Sequence, residues 1–157
     1  MMNRTKTTVV LENNQFIGVD EARLIRIAYE TAASHEAAGE ISLTLVEAAR
    51  IAELNYQFMS ETGPTDVLAF PVDGLQRLSG PAGSASDSPP VLIGEVVICP
   101  EVAAAQTSST LDSELDLLVA HGVLHLLGYD HDSKVNAGKM AGMEKKLTGR
   151  AGAVAPD

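Results

Sequence analysis

Three of the four histidines fall within eleven residues, in the run HGVLHLLGYDH that begins at His121, includes His125 and ends at His131. Helical residues four apart project from one face, so the imidazoles of His121 and His125 point the same way. Gly128 can take a positive φ, which lets the chain leave the helix and bring His131 back toward the other two. Three neutral nitrogen donors without a thiolate suit zinc, with nickel and iron(II) as competitors. Three protein ligands leave one coordination position for an exchangeable water, as in catalytic zinc sites. A structural site needs a fourth ligand, for which Asp130, Asp132, Cys99 and His35 are the candidates. The plainer alternative, core histidines that chance to sit one turn apart, does not explain the glycine and the third histidine at this spacing.

The spacing equals that of the metzincin signature H-E-x-x-H-x-x-G-x-x-H, with one change. The glutamate that serves there as general base is Gly122 here. Zinc can still bring a bound water to a pKa of about 7, but position 122 cannot take its proton. Peptide hydrolysis is therefore disfavoured, and the acid and base must come from elsewhere in the chain.

The pattern around the histidines predicts the frame that holds them. Residues 111–127 are apolar almost all round the helical wheel, which predicts a buried central helix with the metal site at its end. Asp112, Glu114 and Asp116 fall in its first turns, where the helix dipole favours negative charge, and Gly128 supplies the stop. Upstream, residues 7–11 (TTVVL) read as a strand, and Asp20 offers an N-cap to a helix running to Ser34. Residues 41–45 (ISLTL) alternate like a half-buried strand. A second helix follows, with Ile51, Leu54 and Phe58 on one face, and Gly63-Pro64 breaks it. Residues 66–71 (DVLAFP) and 91–98 (VLIGEVVI) predict two more strands that pair across the segment 74–90. That segment, rich in Gly, Pro and Ser, reads as a mobile surface loop. A short helix over 101–106 and a last helix from Ser133, with Met140, Met143 and Leu147 on one side, complete the reading. The expected fold class is α+β: one domain over 1–157, with helices covering a mixed sheet of about four strands.

At 157 residues the chain is long enough for one core, and 45% of it is hydrophobic. No apolar stretch approaches the roughly 18 residues of a membrane span. Residues 1–15 lack a secretory apolar core, and one cysteine, Cys99, excludes an intrachain disulfide framework, so a cytoplasmic protein is expected. The net charge of −10 is unevenly spread. Residues 27–133 hold sixteen acidic side chains against two basic ones, Arg50 and Arg77. This acidity argues against general affinity for a polyanion. Residues 134–150, with five basic and one acidic side chain, are a local exception whose simplest reading is a solvated helix face.

Two blocks carry a family resemblance. The run from His121 to His131 matches H-G-x-L-H-L-x-G-Y-D-H without a break, and residues 63–71 (GPTDVLAFP) resemble P-T-D-V-L-S-F-P with Ala69 at the serine position. Leu54-Asn55 and residues 94–98 (GEVVI) fit the L-N and G-D-I-V-I segments. In these motifs and their order the chain resembles the YbeY family, bacterial zinc-dependent endoribonucleases of ribosomal RNA maturation and ribosome quality control. The resemblance covers nearly the whole chain apart from the Gly/Ser/Pro segment. It implies an α+β fold, one zinc in a cleft beside the sheet and single-stranded RNA as substrate. It also implies action on the small ribosomal subunit at the 16S 3′ end, with a ribosomal protein or a GTPase as partner. Many members carry an RNA-contacting arginine five residues before the proline of the P-T-D block. Here that position is Met59, so Arg50 and the lysines of 134–150 become the candidate cations.

For a metal-dependent endoribonuclease, Asp130 and Asp132 flank His131 and are candidate acid/base or ligand-orienting groups, and Asp66 is a candidate cleft residue. Turn, cap and strand-start chemistry are their simpler roles. Tyr129 could donate a hydrogen bond or merely pack, and Cys99 has no basic neighbour to activate it. The alternative is a ribosome-assembly factor in which zinc mainly holds the cleft. A metalloprotease rests on the metzincin spacing alone.

Overall fold

The structure is a computed structural model that describes residues 7–72 and 92–128. The segment 74–90, the helix expected from Ser133, and Tyr129, Asp130, His131, Asp132 and the basic run 134–150 lie outside the described residues. Four strands form one mixed sheet: β1 (Thr7–Asn13), β2 (Gly39–Leu45), β3 (Val67–Pro71) and β4 (Leu92–Ile98), in the order β1-β2-β4-β3. β1 and β4 both run parallel to β2, whereas β3 is antiparallel to β4, with Val67 opposite Ile98 and Pro71 opposite Gly94. The expected pairing of the third and fourth strands is present, and the fold class is the α+β one.

The helices are α1 (Glu21–Ser34), α2 (Ala48–Met59), α3 (Pro100–Gln106) and α4 (Leu111–Leu126). Asp20 caps α1 as its sequence position suggests, its carboxylate accepting from the Arg23 amide at 3.1 Å. Thr110 caps α4 in the same way through the Ser113 amide at 3.1 Å. On β2, Ile41, Leu43 and Leu45 point to one face, where they meet Leu24, Ile27 and Ala28 of α1 and Leu115, Leu118, Val119 and Val123 of α4. This is the main core. The other face carries a smaller cluster of Val46, Ile51, Leu68, Val97 and Cys99 under α2. Alternation along β4, with Val96 and Ile98 to one side and Val97 to the other, follows the period of two that a strand imposes.

Helix α4 is buried along most of its length, from Leu115 to Leu124. It packs between α1 and the β4–β3 side of the sheet. Its acidic first turns are not equivalent. Asp112 stays at the surface, while Asp116 is buried and accepts from Arg23 of α1 through Nε at 3.0 Å and Nη2 at 2.6 Å. Two further points differ from the sequence reading. Helix α2 ends at Met59, before Gly63, because Ser60 takes a left-handed conformation (φ 58°) and its amide bonds back to Tyr56 O. Phe58, expected on the inward face with Ile51 and Leu54, is 56% exposed and packs edge-on against Phe70, ring centroids 5.3 Å apart. The reason is that α2 covers only part of its side of the sheet.

Candidate active site

The C-terminal half of α4 carries His121 and His125 past the edge strand β3. As the i, i+4 spacing requires, the two rings lie on one face, centroids 5.8 Å apart and planes inclined by 23°. Both open into a cleft of about 570 Å³. Its second wall is built by the end of α2, the following loop and β3: Asn55, Met59, Glu61, Thr62, Thr65 and Ala69 all line it. Helix α4 then stops. The Gly128 amide bonds to His125 O at 3.1 Å, and Gly128 takes φ +103°, the positive value its place after the helix called for.

Gly122, between the histidines, sits where α4 touches β4. A Cβ added there would meet Val96 Cγ1 at 2.6 Å, so a side chain at 122 requires Val96, the helix or the strand to shift. The glutamate of the metzincin pattern is thus absent from the sequence, and a side chain at its position would collide with Val96. Gly94 plays a matching part on the strand, where a Cβ would meet Leu126 Cδ2 at 2.6 Å and Phe70 O at 2.7 Å. Two glycines let the helix lie close to the sheet, and that approach brings the histidines beside β3.

The second wall is held by Asn55, buried on the last turns of α2. Its Nδ2 donates to Gly63 O at 3.0 Å, and its own carbonyl accepts the Glu61 amide at 3.3 Å. The loop from Ser60 to Thr65 is thereby tied to the helix. In the sequence Asn55 stands out only as part of the Leu54-Asn55 motif. The signal that could have marked it is an amide on the apolar face of a helix one turn from Ile51.

Other candidates lie elsewhere. Asp66 is not among the cleft-lining residues; its carboxylate accepts from the Gln106 side chain of α3 and from Thr65 Oγ1, and its carbonyl accepts the Cys99 amide at 2.9 Å. Cys99 is buried in the cluster under α2, and burial raises its thiol pKa. His35 caps α1, with Nδ1 3.0 Å from Thr31 O. Neither Cys99 nor His35 is among the residues that line the cleft. Among the described residues no group of three or more His, Cys, Asp or Glu side chains is arranged to hold a metal ion. His131 lies beyond those residues.

Arg50 lines a different and larger hollow of about 920 Å³ on the α2 side of the sheet, bordered by Glu12, Glu47, Glu53 and Glu95. It is paired with Glu53 at 3.0 Å. The other described arginines are paired too, Arg23 with Asp116 at 2.6 Å and Arg26 with Glu30 at 3.6 Å. No arginine or lysine lines the histidine cleft among the described residues. No helix among them is long and apolar enough to cross a membrane.

Fold and site together define an α+β domain in which a buried helix presents paired histidines to a cleft at the edge of a mixed sheet. A family model described as Endoribonuclease YbeY matches residues 3–152. A relative from Leifsonia xyli subsp. xyli named Endoribonuclease YbeY is 40% identical over 146 residues, covering 89% of this chain and 92% of its own. Another of that name from Thermobifida fusca is 38% identical, covering 89% and 91%. A solution structure of a Thermotoga maritima protein matches with a TM-score of 0.56 at 27% identity, covering 90% of this chain and 89% of that one. The chain belongs to the endoribonuclease YbeY family.

Proposed function

We propose that the chain is a single-strand-specific, metal-dependent endoribonuclease that acts in ribosomal RNA maturation, at the 16S 3′ end, and in ribosome quality control in the cytoplasm. Family membership supports hydrolysis of RNA. The observation that carries the metal-dependent part is the pairing of His121 and His125 on one face of α4, where both line the same cleft.

The chemistry of the donor set fits zinc. His121 and His125 are held on one face of a buried helix that ends before Gly128, whose φ is +103°, and His131, the third histidine of the motif, follows three residues later in the sequence. His121, His125 and His131 would hold the ion, with nickel or iron as the competing metals. When bound, zinc supplies a Lewis acid for a phosphoryl oxygen and lowers the pKa of a coordinated water. Gly122 cannot move a proton, so Asp130 and Asp132 beside His131 are the groups assigned to acid/base transfer. Asp66, engaged by Gln106, is assigned to the start of β3 instead. The arginines among the described residues are each paired with a carboxylate, and Arg50 with the lysines of 134–150 are the counter-charges assigned to RNA phosphates. The small ribosomal subunit, with a ribosomal protein or a GTPase, is the proposed setting.

An end-labelled RNA oligomer tested alone and annealed to its complement checks this reading. Cleavage of the free strand with the duplex spared is the expected result. Equal cleavage of both would overturn single-strand specificity.

A further inference from the structure

We propose that the wall of the cleft built by the end of α2 and the following loop is a nucleobase subsite, in which Met59 packs on the face of a base and Glu61 accepts from its exocyclic amine. The inference rests on the endoribonuclease reading and names which part of the RNA meets this wall.

The wall is chemically unlike a phosphate site. Met59 is the last residue of α2, 42% exposed, and lines the same cleft as the histidines, which gives that wall an apolar residue. A thioether is soft and polarisable and packs well on flat π-systems. Glu61, two residues on, is an acidic residue of the same lining, and Thr62 and Thr65 are its neutral polar neighbours. An ionised carboxylate only accepts hydrogen bonds, and it repels a phosphodiester. The loop that carries it is fixed by Asn55 through Gly63 O and the Glu61 amide, so these groups are presented in a defined place. Unstacked bases are what proteins read in single-stranded RNA, through their faces and their Watson–Crick edges. Cytosine, adenine and guanine each offer an amine to Glu61. Uracil offers one N–H between two carbonyl oxygens, which a carboxylate opposes. The subsite therefore favours amine-bearing bases over uracil.

The test compares dye-labelled 2′-O-methyl oligocytidylate and oligouridylate of equal length, which carry identical phosphates. Binding to the metal-loaded protein is followed by fluorescence anisotropy at several salt concentrations. The native chain should bind the cytidine oligomer about 10-fold more tightly, the low end for one hydrogen bond to a charged group, because Glu61 is exposed. Glu61→Ala should bring that ratio close to one. Met59→Ala should weaken both oligomers by about fivefold with the salt slope unchanged. Met59→Arg should steepen the slope by about one added phosphate contact. Equal binding of the two oligomers by the native chain would overturn the subsite, as would a ratio untouched by Glu61→Ala. If neither oligomer binds at low salt, the RNA reading itself fails and the subsite with it.

Discussion

Gly122 and Val96 meet at a distance that only glycine permits: a Cβ on residue 122 would stand 2.6 Å from the valine Cγ1. This contact sets how closely α4 lies on β4, and the flanking histidines inherit their position from it. Gly122→Ala should therefore destabilise the fold by about 1–3 kcal/mol through overpacking, although alanine gains about 1 kcal/mol in helix propensity. Adding Val96→Ala should recover part of the loss, because the two sites share one contact. Urea denaturation of the single and double variants checks this. An alanine at 122 that leaves the midpoint unchanged would show that the strand yields freely.

The Arg23–Asp116 pair joins α1 to α4 across the main core. The Asp116 side chain is 4% exposed and that of Arg23 41%. Removing Arg23 strands a buried carboxylate, a defect that costs about 3–5 kcal/mol when both partners are buried. Solvent at Arg23 lowers the expected loss to about 2 kcal/mol. A double-mutant cycle with Asp116→Asn measures the coupling, and additive effects would mean the pair contributes nothing specific.

Burial raises the pKa of the Cys99 thiol above its ordinary range. The folded state thus favours the neutral thiol. Its contribution to stability is full below the pKa of an exposed thiol, about 8.5, and is lost as pH rises through the higher folded value. The native chain should lose stability on the alkaline side more steeply than Cys99→Ala. Parallel curves for the two proteins would show that Cys99 is not the titrating group.

Asp66 closes the start of β3 onto α3 through Gln106. Asp66→Ala should lower the unfolding midpoint, at a cost of about 1–2 kcal/mol for the lost hydrogen bonds, while the cleavage rate of the folded protein stays within about twofold. Loss of cleavage with an intact fold would place the Asp66 carboxylate in the chemistry.

What the sequence made legible was what local pattern can carry. The wheel of apolar residues identified α4 as buried, the alternation in ISLTL predicted β2, and Gly128 announced its positive φ. The i, i+4 spacing placed His121 beside His125. Long-range relations were hidden. Asp116 reads like Asp112 and Glu114 as a dipole-favoured charge, and only the packing of α1 on α4 reveals its partner 93 residues away. Gly122 reads as a missing glutamate, whereas the structure gives it a positive reason in Val96. Phe58 fits an amphipathic pattern yet stays 56% exposed, because periodicity reports a face without saying how much sheet lies beneath it.

The central claim is that a metal held by the histidines of α4 and the following motif cuts RNA. Untagged protein would be incubated with labelled single-stranded ribosomal RNA, with and without a chelator, beside His125→Ala checked for fold by circular dichroism. Cleavage by the native chain that stops with the chelator, returns on adding zinc and is missing from folded His125→Ala is the expected result. Cleavage that persists in the chelator, or in metal-free His125→Ala, would contradict it.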